Sequence, residues 1–221
     1  MFENHKEDLS GGEISFSMLS LLSSKLRVGI IGAGKGGYIK AKHLLERGCY
    51  VEVLSIDYEK KFEELLKYNL KIIRGEYNKS FILDKHLIII VIDNDEDIRR
   101  IEHDCNSLYK IYINSKSFTE GMGAIPVQKD MKNFILGISS KGGNPKGSLM
   151  MGEKAENYLK KYDDFIGYTT SIRNKAKKFP NLKKSITNFM ASEDFFFFFE
   201  KGKENVVLKL FYEDDMILYE R

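Results

Sequence analysis

Arg27-Val28-Gly29-Ile30-Ile31-Gly32-Ala33-Gly34-Lys35-Gly36-Gly37 is an apolar run that ends in a glycine turn. A strand that runs into G-x-G-x-x-G and on into a helix suits one ligand group in particular, the pyrophosphate of a dinucleotide. Gly32 permits the tight turn, Gly34 lets the main chain approach the phosphates, and Gly37 lets the helix lie close to the strand. The helix N-terminus then offers free N–H groups and a positive dipole end to the anion. A glycine-rich hairpin can produce the same letters, so the flanking segments decide.

Those segments agree with the dinucleotide reading. Ala41, Leu44 and Leu45 recur at helical spacing within Tyr38–Arg47, and Gly48 supplies a stop. A second strand is predicted over Tyr50–Leu54. Strand, glycine turn, helix and strand within about 30 residues make a βαβ unit.

Composition narrows the class. The 221 residues are 43% hydrophobic, as expected of a folded soluble chain. Thirty-five basic against 32 acidic residues leave a net charge of +3, too mild to imply nucleic acid. Cys49 and Cys105 show no C-x-x-C spacing and read as buried thiols. The histidines His5, His43, His86 and His103 have no metal-ligand spacing, so no metal site is expected. Ile14–Leu22 is too short and wrongly flanked for a secretory signal, and no apolar run reaches membrane length. The expected compartment is the cytoplasm, with no membrane partner.

Along the chain, residues 1–13 read as a flexible arm. Residues 14–113 read as a dinucleotide-binding Rossmann domain. Within it, Glu59–Tyr68 is predicted as a helix, and Leu70–Ile73, Leu87–Ile92 and Lys110–Ile113 as strands. The run Leu87–Ile92 has no polar alternation, which fits a strand covered on both faces. Asn94 and its neighbours can cap a helix reaching about Leu108. Residues 114–150 read as a separate central segment with antiparallel pieces at 125–127 and 134–138. Residues 151–221 read as helices, with Ala155, Tyr158, Leu159 and Tyr162 on one face and Phe165, Ile166, Thr169, Ile172 and Ala176 on the next. The Phe195–Phe199 run reads as a helix wedged between helices or against a dimer partner. The fold class is α/β: a doubly wound parallel sheet, a small central segment and a helical C-terminal domain.

A second loop, Ile138-Ser139-Ser140-Lys141-Gly142-Gly143-Asn144-Pro145, could present N–H groups and hydroxyls to an anion, or simply join a strand to a helix. With it the chain resembles the precorrin-2 dehydrogenase family, the N-terminal part of siroheme synthases, which includes bifunctional dehydrogenase/ferrochelatases. The resemblance is carried, in order, by the Val28–Lys35 turn with Lys40 and Leu44-Leu45, by Gly48 and Val51–Val53, and by Ile90–Asp95. Ser139–Pro145 and then Tyr162, Phe165, Arg173 and Lys175 complete the set.

The resemblance implies NAD-dependent oxidation of precorrin-2 to sirohydrochlorin, a homodimer with residues 114–150 as its central dimerisation segment, and a carboxylate-rich tetrapyrrole as partner. It implies cofactor contacts at Lys35, Gly36, Ile56 and Asp57, beside the turn glycines Gly32, Gly34 and Gly37. It places Ser139, Ser140, Gly142 and Gly143 by the substrate. One departure stands out. The family's acidic residue after the fifth strand is missing from Ile113-Asn114-Ser115-Lys116-Ser117, so no catalytic residue is assigned and iron insertion stays open. Ser55 stands where many NAD enzymes carry a ribose-binding acid, with Asp57 two residues on, so NADP is not excluded. The alternatives are a carrier or sensor that kept the fold without the chemistry, and an unrelated Rossmann regulator.

Overall fold

The computed structural model describes residues 15–212; the expected arm, 1–13, and the last part of the C-terminal region, 213–221, lie outside them. The chain divides into two units. One holds residues 15–125 with 141–143, the other 126–140 with 144–212. The expected central segment, 114–150, is shared between them.

The first unit is a five-stranded parallel sheet in the order β3-β2-β1-β4-β5. Its strands are β1 (Arg27–Ala33), β2 (Tyr50–Tyr58), β3 (Leu70–Arg74), β4 (Leu87–Ile90) and β5 (Ile111–Asn114). Two helices connect them, α1 (Lys35–Glu46) after β1 and α2 (Asp95–Ser107) after β4. This is the expected Rossmann-type doubly wound sheet. Alternating residues feed two cores. Val28, Ile30, Val51, Val53 and Ile89 pack with Ala41, Leu44 and Phe62. Ile31, Leu54, Ile88 and Ile90 pack with Ile98, Ile101 and Cys105. Every residue of β4 is buried, as the unbroken apolar run demands of a strand covered on both sides.

The boundaries differ from expectation in instructive ways. β2 continues past Leu54 to Tyr58, because Tyr58 pairs with Ala33 across a bulge and the Glu59 N–H donates to the Ala33 carbonyl at 3.1 Å. β4 stops at Ile90, two residues early. The helix expected over Glu59–Tyr68 is a 3₁₀ segment, Lys60–Leu65, which buries Phe62 and Leu65 but leaves Leu66 exposed. Asn94 caps α2 as expected, accepting from the N–H groups of Glu96 and Asp97 at 2.9 and 3.1 Å. At the other end of α2, Tyr109 sits at φ +53° and is 90% exposed. A left-handed non-glycine residue is strained, so Tyr109→Gly should stabilise the protein by about 1 kcal/mol. Chemical denaturation would read this as a raised midpoint with an unchanged slope.

The second unit contains an antiparallel hairpin, β6 (Val127–Asp130) and β7 (Ile135–Ile138), with α3 (Pro145–Leu159) packed on it. Asn144 caps α3 and Pro145 opens it. The expected face of α3 is buried in part: Ala155 and Leu159 are half-buried on the same side as the buried Ser148 and Gly152, whereas Tyr158, at the edge of that face, is 64% exposed. A side-chain carbon at Gly152 would lie 3.3 Å from Val127, so small residues set how close the helix comes to the hairpin. Beyond it, α4 (Asp163–Lys175), α5 (Pro180–Met190), α6 (Glu193–Glu200) and α7 (Glu204–Phe211) build a helical core. Phe165, Ile172, Ala176, Ile186, Phe195 and Phe196 are buried in it. The phenylalanine run is thus a helix wedged among helices; Phe165 meets Phe195, Phe196 and Phe199 with ring centroids 5.0–6.1 Å apart.

Candidate dinucleotide site

The glycine turn occupies the C-terminal end of β1, where the strand order reverses between β1 and β4. Ligands of open α/β sheets bind at this switch point. Gly32 has φ +108°, and a Cβ there would stand 2.1 Å from the Val91 carbonyl oxygen. A Cβ on Gly37 would stand 2.1 Å from the Gly32 oxygen. These two glycines let strand, turn and helix close on one another. Gly34 differs: nothing lies within 4 Å of where its Cβ would be. It is also the N-cap of α1, with no side chain capping the helix. The first-turn N–H groups therefore face an open approach, which fits a pyrophosphate. Lys35, exposed, and Gly36, half-buried, follow in that first turn.

Beside the turn lies a cleft of about 330 Å³. Gly32, Ser55 and Ile56 form part of its wall, together with Glu76 and Tyr77 after β3 and Arg100 on α2. Of the two expected contacts on β2, Ile56 lines the cleft; Asp57 is exposed and is not among the wall residues. Glu76, Tyr77, Asp97 and Arg100 escaped the sequence reading, because only the topology brings the ends of β3 and α2 to β1.

The wall is held by polar contacts. The Tyr77 hydroxyl donates to Asp104 at 3.1 Å, and Lys79 pairs with Asp104 at 3.0 Å. Burial first, and then the Asp104 charge, push the Tyr77 hydroxyl far above the usual phenol range. Arg100 pairs with Asp97 at 3.1 Å and lies over the Tyr77 ring at 5.4 Å. Cys49 and Cys105 are buried and free. Burial raises both thiols, that of Cys105 to about 12, so neither is a reactive thiolate near neutral pH. Among the described residues no group of three His, Cys, Asp or Glu side chains could hold a metal.

At the tip of β5 the carboxylate that the family resemblance called for is absent, and the structure shows what replaces it. Asn114 is buried, and its Oδ1 accepts the N–H groups of Lys116 and Ser117 at 2.8 and 3.1 Å. Its Nδ2 donates to Glu102 at 2.9 Å and to Glu120 at 3.4 Å. Lys116 turns to β4's end, pairing with Asp95 at 2.6 Å and donating to the Asp93 carbonyl at 3.1 Å. Burial raises the Glu102 carboxyl, the Asn114 amide opposes the shift, and the Glu120 charge adds to it. A raised acid favours folding while protonated, and that contribution is lost as pH rises through its folded-state value. Glu102→Gln should therefore raise the melting temperature relative to wild type at pH above neutrality, and the gain should shrink in acid. Thermal melts across pH check this.

The serine-glycine loop is largely occupied with its own geometry. The Ser140 N–H donates to the Ser148 hydroxyl at 3.0 Å, and the Ser140 hydroxyl accepts from the Asn144 N–H at 2.6 Å. Ser139 and Ser140 belong to the second unit, Gly142 and Gly143 to the first. Gly143 has φ +68°, while Gly142 has open space where a Cβ would be.

One family model and three known proteins are similar to this chain. A family model described as "Putative NAD(P)-binding" fits residues 19–121, which span the whole parallel sheet. The "Putative precorrin-2 dehydrogenase" of Methanocaldococcus jannaschii is 30% identical over 152 residues, 64% of this chain and 73% of that protein. "Siroheme synthase 2" of Cronobacter sakazakii is 26% identical over 152 residues, 67% of this chain but only 33% of that protein. The solved structure of "SirC, precorrin-2 dehydrogenase" superposes with a TM-score of 0.68 at 18% identity, covering 89% of this chain and all of that one. That superposition supports the fold, helical C-terminal region included. Among the described residues no helix is long and apolar enough to cross a membrane.

Proposed function

Because the chain belongs to the precorrin-2 dehydrogenase family, we propose that it oxidises precorrin-2 to sirohydrochlorin with NAD as hydride acceptor. The observation that carries this reading is the phosphate seat: an uncapped helix N-terminus behind Gly34, open to a ligand. Bound there, the dinucleotide would supply a nicotinamide ring that takes a hydride from a carbon of the macrocycle, while a proton leaves to solvent. The residues of this chain bind and orient. The α1 N-terminus and Lys35 hold the phosphates, and Ile56 and Ser55 border the cleft beside them. Ser139, Ser140, Gly142 and Gly143 meet the substrate carboxylates. Positioning of this kind supplies much of the rate of a hydride transfer.

The proposal stops at dehydrogenation. Iron insertion calls for a group that takes protons from the macrocycle nitrogens, and Asn114-Ser115-Lys116-Ser117 carries no carboxylate. Loss of a general acid or base costs about 10²–10⁴ in rate, which would leave chelation at background. A homodimer working in the cytoplasm, in siroheme or cobalamin synthesis, completes the reading. The test is direct. Purified protein with NAD should convert enzymatically made precorrin-2 to sirohydrochlorin, seen in the tetrapyrrole spectrum, and added ferrous iron should yield no siroheme above the protein-free rate. No conversion with NAD or NADP would overturn the proposal in favour of a binding role.

A further inference from the structure

An acid at the end of the second strand normally holds the adenosine ribose of NAD through its 2′-hydroxyl. Here that place is Ser55, and the nearest acid on β2, Asp57, is outside the cleft wall. A carboxylate does reach the wall from the neighbouring strand. Ser55 pairs with Arg74, the last residue of β3, and the Gly75 N–H donates to the Ser55 carbonyl at 3.1 Å. The chain thus sets Glu76 next to the position Ser55 occupies, and Glu76 lines the same cleft.

We infer that Glu76, supplied from β3, is the ribose-binding carboxylate of this chain and the residue that selects NAD over NADP. This inference rests on the dinucleotide reading of the cleft. A carboxylate can accept hydrogen bonds from the ribose hydroxyls, and it repels a 2′-phosphate at the same spot. The cations that could welcome such a phosphate are engaged. Arg100 is paired with Asp97 and lies over Tyr77. Arg74 lies over the Tyr58 ring at 4.7 Å and is not a wall residue. Among the described residues Glu76 itself makes no ion pair, so its charge is available to the cleft.

Calorimetric titration of the intact protein with NAD, NADP and 2′-deoxy-NAD tests the assignment, with Asp57→Asn as the comparison variant. Wild type should bind NAD about tenfold or more tighter than either analogue, the effect of a charged hydrogen bond at a partly exposed site. Glu76→Gln should weaken NAD and bring the three ligands within about threefold of one another, while Asp57→Asn keeps the wild-type ratios. Glu76 is exposed, and circular dichroism confirms that the variant folds. Unchanged ratios in Glu76→Gln, or collapsed ratios in Asp57→Asn, would overturn the assignment while leaving the dinucleotide site standing. If wild type binds none of the three, the dinucleotide reading falls as well.

Discussion

A Gly34→Val variant is expected to fold with a melting temperature close to wild type and to lose dinucleotide binding by about 10²–10⁴. Both halves follow from the same geometry. Gly34 has φ −75° and ψ −171°, extended backbone that any residue adopts, and no atom lies within 4 Å of a Cβ built there. The folded protein therefore has room for a valine. The ligand does not, because the side chain would stand over the N–H groups that a pyrophosphate must reach. Losing two charge-assisted hydrogen bonds, each worth about 1.5–3 kcal/mol, gives the stated factor. The same substitution at Gly32 or Gly37 would drive a side chain into backbone oxygens 2.1 Å away and confound folding with binding. Calorimetric titration with NAD and a thermal melt of the same sample separate the two effects. Wild-type affinity in Gly34→Val would remove the phosphate seat from the account.

Lys85→Ala should destabilise the protein by about 3–5 kcal/mol, the largest folding effect anticipated here. Lys85 and Glu52 are 2% and 6% exposed and pair at 3.1 Å within the first unit. The Lys85 ammonium also lies 5.0 Å from the centre of the Phe81 ring. Removing it leaves Glu52 buried, with the Tyr50 hydroxyl at 2.6 Å and Lys71 at 3.8 Å as its remaining partners. Burial pushes the Glu52 carboxyl up, but the Tyr50 hydrogen bond and the Lys85 charge outweigh it and hold the group below the usual carboxylate range. A depressed acid stabilises the fold above its unfolded-state value, and that contribution is lost as pH falls through its folded-state value. The gap between wild type and Lys85→Ala should therefore be widest near neutrality and close in acid. Urea denaturation at several pH values reads it, and a constant gap would exclude the pair as its source.

How far the fold was legible depended on the physics of each segment. Leu87–Ile90 could be read because a strand covered on both faces has no polar positions to obscure it. The turn at Gly32–Gly37 could be read because Gly32 and Gly37 answer to close backbone contacts that no other residue permits. At Lys60–Leu65 the spacing of Phe62 and Leu65, three apart, is common to α- and 3₁₀-helices, so periodicity predicts a helix over Glu59–Tyr68 without fixing its type or length. The extension of β2 carries a strand signal, since Leu54-Ser55-Ile56-Asp57-Tyr58 alternates apolar and polar residues, but the pairing with Ala33 beyond a bulge that holds its end has no local signature. In α3 the expected face holds at Ala155 and Leu159 and fails at Tyr158, and Ser148 and Gly152 extend it by smallness rather than hydrophobicity, a signal that apolar periodicity does not carry.

The site divides along the same line. Residues within one local motif, Gly32 through Gly37, were open to inspection. Ile56 was placed by resemblance and does border the cleft. Glu76 and Arg100 became visible only when the strand order brought β3 and α2 to the end of β1. The tip of β5 shows the reverse case, where the absence of an acid was plain in the letters. The amide of Asn114, bridging Glu102 and Glu120, was not.

In the proposed function the phosphate seat holds a hydride acceptor for a tetrapyrrole. The most direct test of that role is the stoichiometry of NADH to sirohydrochlorin under anaerobic conditions, in wild type and in Gly34→Val. The expected result is one NADH formed for each sirohydrochlorin by the wild-type protein, with both products absent from the variant. Sirohydrochlorin appearing at equal rates with and without NAD, or undiminished in Gly34→Val, would contradict it.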